Sequence, residues 1–183
     1  GVVSGHDDIG IVAVNHGTDL IITATEVTGG HHGIVATNAG NSALSITTTG
    51  TVTGENGIGI WADNRSSATN LTISTAGVSG TDDGINATNS GTGPMSISTS
   101  GTVSSTGNGT FAFGIAAYNR GNAALSITAS DTVESTGTGA YAIGIYANTA
   151  ATGTDLTIST ADVTGGYAGI YTNNFGSGSL SIT

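Results

Sequence analysis

The sequence has no cysteine, a single proline and almost no positive charge. Without cysteine, the fold cannot depend on disulfide bonds. Two basic residues and a formal net charge of −10 argue against partners such as nucleic acid or an anionic membrane surface. No apolar run reaches the roughly 18 residues of a transmembrane helix, so we expect no direct membrane insertion. The first residues also lack the basic and apolar regions of a signal peptide.

What the chain does contain is a repeat. A six-residue motif starting with Gly-Ile recurs at Gly10, Gly33, Gly59, Gly84, Gly114, Gly144 and Gly169, in the forms GIVAVN, GIVATN, GIWADN, GINATN, GIAAYN, GIYANT and GIYTNN. A period of this size indicates a solenoid, a propeller or an array. The 31 glycines, the charged fraction of 8% and the alternation of apolar with small polar residues favour strands over helical repeats.

Each repeat supplies three short strands. The first carries the Gly-Ile motif, the second a Leu-x-Ile segment, and the third is brief and centres on a valine. Because side chains alternate along a strand, the constant positions point inward and the variable positions outward. Stacking such triangular coils about 4.8 Å apart pairs the backbones and fills one core. We therefore expect an all-β fold, a parallel β-helix of about seven coils of roughly 23–30 residues, with residues 1–183 as one domain.

An asparagine ends most copies of the first strand, and the set comprises Asn15, Asn38, Asn64, Asn89, Asn119 and Asn174. Thr149 takes the place in the sixth repeat. An inward asparagine at a tight turn tolerates the left-handed conformation, and its amide can bond to the asparagines of neighbouring coils. We expect a buried asparagine ladder rather than a ligand site.

The recurring pattern GI-x-A-x-N, followed by L-x-I-T and G-T-V-T-G, resembles the passenger domains of Gram-negative autotransporter (type V secretion) proteins. The resemblance spans the whole chain. It implies a right-handed single-stranded β-helix that is secreted or displayed on the bacterial cell surface, commonly as an adhesin. The implied partner is a protein or glycan of a host or neighbouring cell, or a second stalk. We expect these residues to be an excerpt of a longer passenger, with caps, signal peptide and translocating barrel outside it.

Two adjacent repeats carry a longer segment before the Gly-Ile motif, 104–113 and 134–143, each ending in an aromatic-Ala-apolar tripeptide. One interpretation is that Phe113 and Ile143 extend the first strand inward. The other is a contact surface, because repeat proteins often place insertions on the binding face. Outward tyrosines on the adjoining strands, among them Tyr171, favour such a surface. We predict partner contact through Phe111, Tyr118, Tyr141 and Tyr146.

A second candidate lies in the shorter turns nearer the N-terminus. Its potential metal ligands are Asp7, Asp8, His31, His32, Glu55, Asp82 and Asp83. Charged turn residues are usually only solvated, and that is the interpretation we prefer. Oxygen ligands would suit calcium and a histidine pair zinc or copper, and a carboxylate pair could act on a sugar. We expect no cofactor, with calcium as the weak alternative.

Three functions fit the pattern. The first is a rigid, non-enzymatic adhesive stalk. The second is a β-helix that binds or cleaves polysaccharide, which needs carboxylates converging in a groove lined by aromatic rings. The chain has only one Trp and two Arg, which argues against this function. The third is ice binding, which needs a regular Thr-x-Thr array on every coil, whereas the outward positions here mix Ser, Thr and Ile. We expect the first.

Overall fold

The computed structural model describes all 183 residues as strands and turns, without helix. The strands are numbered in chain order. They are β1 (Val2–Gly5), β2 (Ile11–Asn15), β3 (Leu20–Ala24), β4 (Glu26–Gly29), β5 (Ile34–Asn38), β6 (Leu44–Thr48), β7 (Thr51–Gly54), β8 (Ile60–Asn64), β9 (Leu71–Thr75), β10 (Gly77–Gly80), β11 (Ile85–Asn89), β12 (Met95–Thr99), β13 (Val103–Ser105), β14 (Phe111–Asn119), β15 (Leu125–Ala129), β16 (Val133–Ser135), β17 (Tyr141–Thr149), β18 (Leu156–Thr160), β19 (Val163–Gly165), β20 (Ala168–Asn174) and β21 (Leu180–Ile182).

Every coil contributes one strand to each of three seven-stranded sheets. Sheet A has the order β1-β4-β7-β10-β13-β16-β19, sheet B β2-β5-β8-β11-β14-β17-β20 and sheet C β3-β6-β9-β12-β15-β18-β21. All pairs are parallel, and equivalent positions lie opposite one another, as Ile85 does to Ile60 and to Ile115. The chain is thus a parallel β-solenoid of seven coils, which confirms the predicted fold class.

The inward positions form one continuous core. In sheet B the isoleucines of the five central coils are fully buried: Ile34, Ile60, Ile85, Ile115 and Ile145. Their counterparts in the first and last coils, Ile11 and Ile170, are partly buried, because each has a neighbouring coil on one side only. The Leu-x-Ile positions of sheet C and the valines of sheet A complete the core. A buried column along the axis was predicted, and the central coils confirm it.

The glycine of the Gly-Ile motif is required by close packing between coils. A Cβ on Gly33 would lie 2.5 Å from the Gly59 carbonyl oxygen and 2.6 Å from a methyl group of Val52, both one coil along. Real Cβ atoms do not approach other atoms so closely. Equivalent contacts with the next coil occur at Gly10, Gly59, Gly84, Gly114 and Gly144, so coil stacking explains why this position is glycine in the first six repeats.

The asparagine ladder is present and buried. Asn38 Nδ2 donates to Asn64 Oδ1 at 3.1 Å, and Asn64 Nδ2 donates in turn to Asn89 Oδ1 at 2.8 Å. The same bond joins Asn15 to Asn38 and Asn89 to Asn119. At the sixth coil Thr149 takes over and donates to Asn174. One detail of the prediction was wrong: no residue has a positive φ, so these asparagines end their strands in extended conformation.

The structure contains no helix with the length and apolar character needed to cross a membrane.

Candidate functional site

The two longer segments form additional strand. β14 and β17 have nine residues each, whereas β11, the preceding strand of sheet B, has five. The extension pairs Phe111 with Tyr141 and Phe113 with Ile143. An aromatic pair on neighbouring coils was predicted, and the register confirms it. The insertions therefore enlarge sheet B, so the rings they carry are held by backbone pairing.

Phe113 and Ile143 extend the first strand, as one interpretation had it, but the inward direction given to them was wrong, because they do not join the main core. Phe113, Ile143 and Ala116 form a second buried cluster, separate from the main core, against which Tyr118 and Tyr146 pack. The reason is an irregularity at Gly114: the ladder to β17 pairs Phe113 with Ile143 and Ile115 with Ile145 and leaves Gly114 between them without a partner. Side-chain alternation is interrupted there, so that both Phe113 and the outward Ala116 lie on the outer side of sheet B.

Ring contacts continue through three consecutive coils. The Phe111 and Tyr141 rings are stacked, with centroids 5.1 Å apart and planes 12° apart, and Tyr167 meets Tyr141 edge-on at 5.1 Å. A parallel series runs from Phe113 to Tyr146 at 5.4 Å and from Tyr146 to Tyr171 at 5.7 Å. Tyr118 joins it through Tyr146. We call the whole set the aromatic surface: Phe111, Phe113, Tyr118, Tyr141, Tyr146, Tyr167 and Tyr171.

An aromatic groove runs between these rings. It has a volume of about 350 Å³, and its lining consists of Ile143 and six members of the aromatic surface, all except Tyr118. The rims are open to solvent, since the exposed fraction is 60% for Phe111, 55% for Tyr167 and 43% for Tyr171. Its size lies within the range of small-ligand sites, about 300–1,000 Å³. Neighbouring large apolar side chains with this exposure are typical of an interaction site.

A second groove of about 500 Å³ adjoins the first, and Phe111, Phe113 and Tyr146 line both. Its other wall carries the acidic pair Asp82 and Asp83 with Asn86, Ile58 and Tyr118. Asp82 is exposed, and its carboxylate makes no hydrogen bond or salt bridge within the chain. The second groove thus combines apolar walls with an available negative charge.

Asp83 is a structural residue of this site. It is buried, its Oδ1 accepts a hydrogen bond from the Phe113 N–H at 3.0 Å, and its Oδ2 accepts one from Asn86 at 2.8 Å. Because β14 begins before β11 does, the Phe113 N–H has no strand beneath it, and the carboxylate replaces the missing carbonyl. Burial raises the pKa of Asp83, and the two hydrogen bonds oppose that rise. Both oxygens are engaged, so Asp83 is poorly suited to bind a ligand.

The turns that carry the predicted metal ligands do stack. The His31 N–H donates to the Asp8 carbonyl, and Asn56 donates to the Gly30 carbonyl. No group of three or more His, Asp or Glu side chains is placed to hold a metal ion, however. His31 lies against His32, which in turn meets Trp61 edge-on. The structure therefore offers no donor set for the calcium, zinc or copper alternatives.

His32 has a structural contact of its own. Its Nδ1 accepts a hydrogen bond from the Ile58 N–H at 2.9 Å. Burial lowers the pKa of His32, and the neighbouring His31 adds to this effect. Protonation at Nδ1 would remove the acceptor, so the neutral ring is the form that fits the turn.

Comparison with protein-family models, curated proteins and solved structures finds no match. The resemblance to autotransporter passengers thus stays a prediction, and any function has to be argued from the surface itself.

Sequence reasoning placed four residues in partner contact, and the structure brings all four together on the aromatic surface. It missed Phe113 as an outer residue, and it missed Tyr167 altogether. Tyr167 precedes its Gly-Ile motif by two residues, whereas Tyr141 precedes its own by three. This offset of one residue concealed the repetition, which an alignment of GGYAGI with GAYAIGI would have revealed.

Proposed function

We propose that this chain is a surface-displayed or secreted β-solenoid stalk of a bacterial autotransporter-like protein, which mediates adhesion to host or neighbouring cells. The observation that carries the proposal is the aromatic surface, seven rings that contact one another across three consecutive coils. Aromatic side chains are the residues that most often anchor protein interfaces. A solenoid core is filled, so partners meet its faces.

The rest of the exterior supports a stalk. Outward positions of sheet C are mainly Ser and Thr, in columns such as Ser45, Thr72, Ser96 and Ser126. Such a face stays hydrated and offers no apolar patch. Contacts are therefore concentrated where the repeat departs from its pattern.

The role we propose is non-enzymatic. Acid–base chemistry on a sugar requires a pair of carboxyl groups that are free to reach the substrate. Of the acidic pair in the second groove, Asp83 is committed to the Phe113 N–H and to Asn86, which leaves Asp82 alone.

Display of the chain on a non-adherent bacterium, through a heterologous translocator, tests this function. The variant is Phe111→Ala combined with Tyr141→Ala. The matched control is Phe175→Ala, because Phe175 is 62% exposed and Phe111 60%, and Phe175 does not line either groove. Adherence to cultured cells and cell-to-cell aggregation are the readouts.

We expect the wild type and Phe175→Ala to confer adherence or aggregation, and the double variant at equal surface level to lose most of it. If the double variant adheres as the wild type does, the aromatic surface is not the contact site. If the displayed wild type promotes neither adherence nor aggregation, the adhesive function itself is wrong.

A further inference from the structure

We propose that the aromatic surface binds an extended, proline-rich polypeptide segment of a partner protein, with a basic side chain of that segment placed in the second groove beside Asp82. This inference rests on the proposed adhesive function and specifies the chemistry of its partner.

The lining of the first groove favours an apolar occupant. Apart from tyrosine hydroxyl groups, no polar side chain faces it. A proline ring brings apolar surface and no N–H donor, so it fits such a groove without leaving a polar group unpaired.

The repeat of the surface matches that of a polyproline II helix. Coils of a solenoid are about 4.8 Å apart, so Phe111 and Tyr167, which lie two coils apart, are separated by about 9.6 Å along the axis. A polyproline II helix rises about 3.1 Å per residue with three residues per turn, or about 9.3 Å per turn. One face of such a helix would therefore meet Phe111 and Tyr167, the rings at the two ends of the groove. Aromatic-lined grooves are a recurring docking mode for this conformation.

The carboxylate of Asp82 favours a basic side chain in the bound segment. The second groove offers the exposed carboxylate of Asp82 next to Phe111 and Tyr118. An arginine or lysine could lay its aliphatic stem on these rings and bring its cation to the carboxylate. The chain's own cation here, Arg120, lies over Tyr118 at 6.0 Å. With a net charge of −10, the protein repels anionic partners and favours basic ones.

Fluorescence anisotropy with labelled peptides tests the proposal. The probe is a peptide of repeating Pro-Pro-Arg units. One comparison peptide repeats Gly-Ser-Arg, which keeps the charge and removes the polyproline conformation, and another repeats Pro-Pro-Glu. Cello- and chito-oligosaccharides are the glycan probes. The protein variants are Phe111→Ala with Tyr141→Ala, Asp82→Asn, and Phe175→Ala as the control.

We expect the Pro-Pro-Arg peptide to bind the wild type and the control equally, and the double aromatic variant about tenfold or more weakly. Asp82→Asn should weaken binding by a smaller factor and reduce its sensitivity to salt. Equal affinity for Gly-Ser-Arg and Pro-Pro-Arg would overturn the proposal, since charge alone would then explain binding. It would also be overturned by an oligosaccharide that binds through Phe111 while the peptides do not bind.

The two proposals fail in different ways. If the displayed double variant loses adherence while no Pro-Pro-Arg binding is found, the adhesive function holds and the partner chemistry is wrong. If the peptide binds through the rings but the displayed chain confers neither adherence nor aggregation, the site is correct and its adhesive role is wrong.

Discussion

Replacement of Asn89 by alanine tests whether the asparagine ladder holds the coils together. Asn89 is fully buried and takes part in four hydrogen bonds. It donates to the Gly93 carbonyl at 2.9 Å and to Asn119 Oδ1 at 3.2 Å, and it accepts from Asn64 Nδ2 at 2.8 Å and from the Gly91 N–H at 3.2 Å.

The expected loss follows from these contacts. A hydrogen bond contributes about 0.5–1.5 kcal/mol net, so four of them bound the effect at about 2–6 kcal/mol. Asn64 Nδ2 keeps two carbonyl partners after the change, whereas Asn119 Oδ1 has no other hydrogen bond and becomes a buried, unpaired acceptor. We expect Asn89→Ala to lower the free energy of unfolding by about 3–5 kcal/mol.

Urea unfolding followed by circular dichroism measures the effect, with two comparisons. Asn15→Ala removes an end of the ladder that is partly exposed, so its cost should be smaller. Asn41→Ala is the control, because this exposed side chain makes no hydrogen bond, and it should cost almost nothing. Asn89→Thr introduces the residue found at position 149, and its free energy of unfolding should lie between those of Asn89→Ala and the wild type. Equal, small losses for Asn89→Ala and Asn41→Ala would refute the view that the ladder stabilises the stack.

Three further predictions concern the buried isoleucine column, the protonation of His32 and the threonine that interrupts the asparagine ladder. Ile85→Ala in the fully buried column should cost about 2–5 kcal/mol by cavity formation, measured by the same unfolding assay; a loss below that of an exposed substitution would contradict the core assignment. The lowered pKa of His32 means that the unfolded chain binds the proton more readily, so stability should fall as pH decreases below about 6.5. His32→Asn, which keeps an acceptor for the Ile58 N–H, should reduce the difference between unfolding midpoints at about pH 7.5 and about pH 5.5, and an unchanged difference would show that His32 is not responsible. In the Thr149→Asn variant, the new amide oxygen should accept a hydrogen bond from Asn119 Nδ2, which should raise the free energy of unfolding by about 0.5–1.5 kcal/mol in the same assay. A less stable variant would show that the sixth coil has no room for an asparagine in the ladder.

The core could be predicted because each inward position has the same neighbour, one coil above and one coil below. Contact between equivalent positions of neighbouring coils explains why Ile or Leu recurs at a fixed place in the repeats. The same logic gave the asparagine ladder, in which each side chain bonds to its own copies. The backbone conformation expected for the asparagines was wrong. They bond to the asparagines of neighbouring coils while they remain in the extended strand, so no left-handed residue is needed.

The site was less accessible from the sequence because it depends on where the repeat is irregular. Phe113 lies outward because side-chain alternation is interrupted at Gly114, which has no partner in the β14–β17 ladder. The alternating pattern of the sequence gives no sign of that interruption. The role of Asp83 depends on β14 starting earlier than β11 does, which leaves the Phe113 N–H to be paired by a side chain. The sequence was sufficient to identify the aromatic residues. Their burial and contacts depend on strand pairing between coils, which only the structure shows.

The aromatic surface obeys the same stacking rule as the core, and this determines how it can function. Phe111 lies on Tyr141 and Tyr146 on Tyr171, so each ring is supported by a ring on the next coil. Trp61, an exposed ring in a coil of ordinary length, lies between Val35 and Asn86 of the adjacent coils, has His32 as its only ring contact and lines neither groove. The aromatic groove is therefore formed by rings on neighbouring coils, and one repeat taken alone cannot supply it. The binding surface is for this reason a property of at least three coils, and any change that shifts the register of one of them should affect the whole surface.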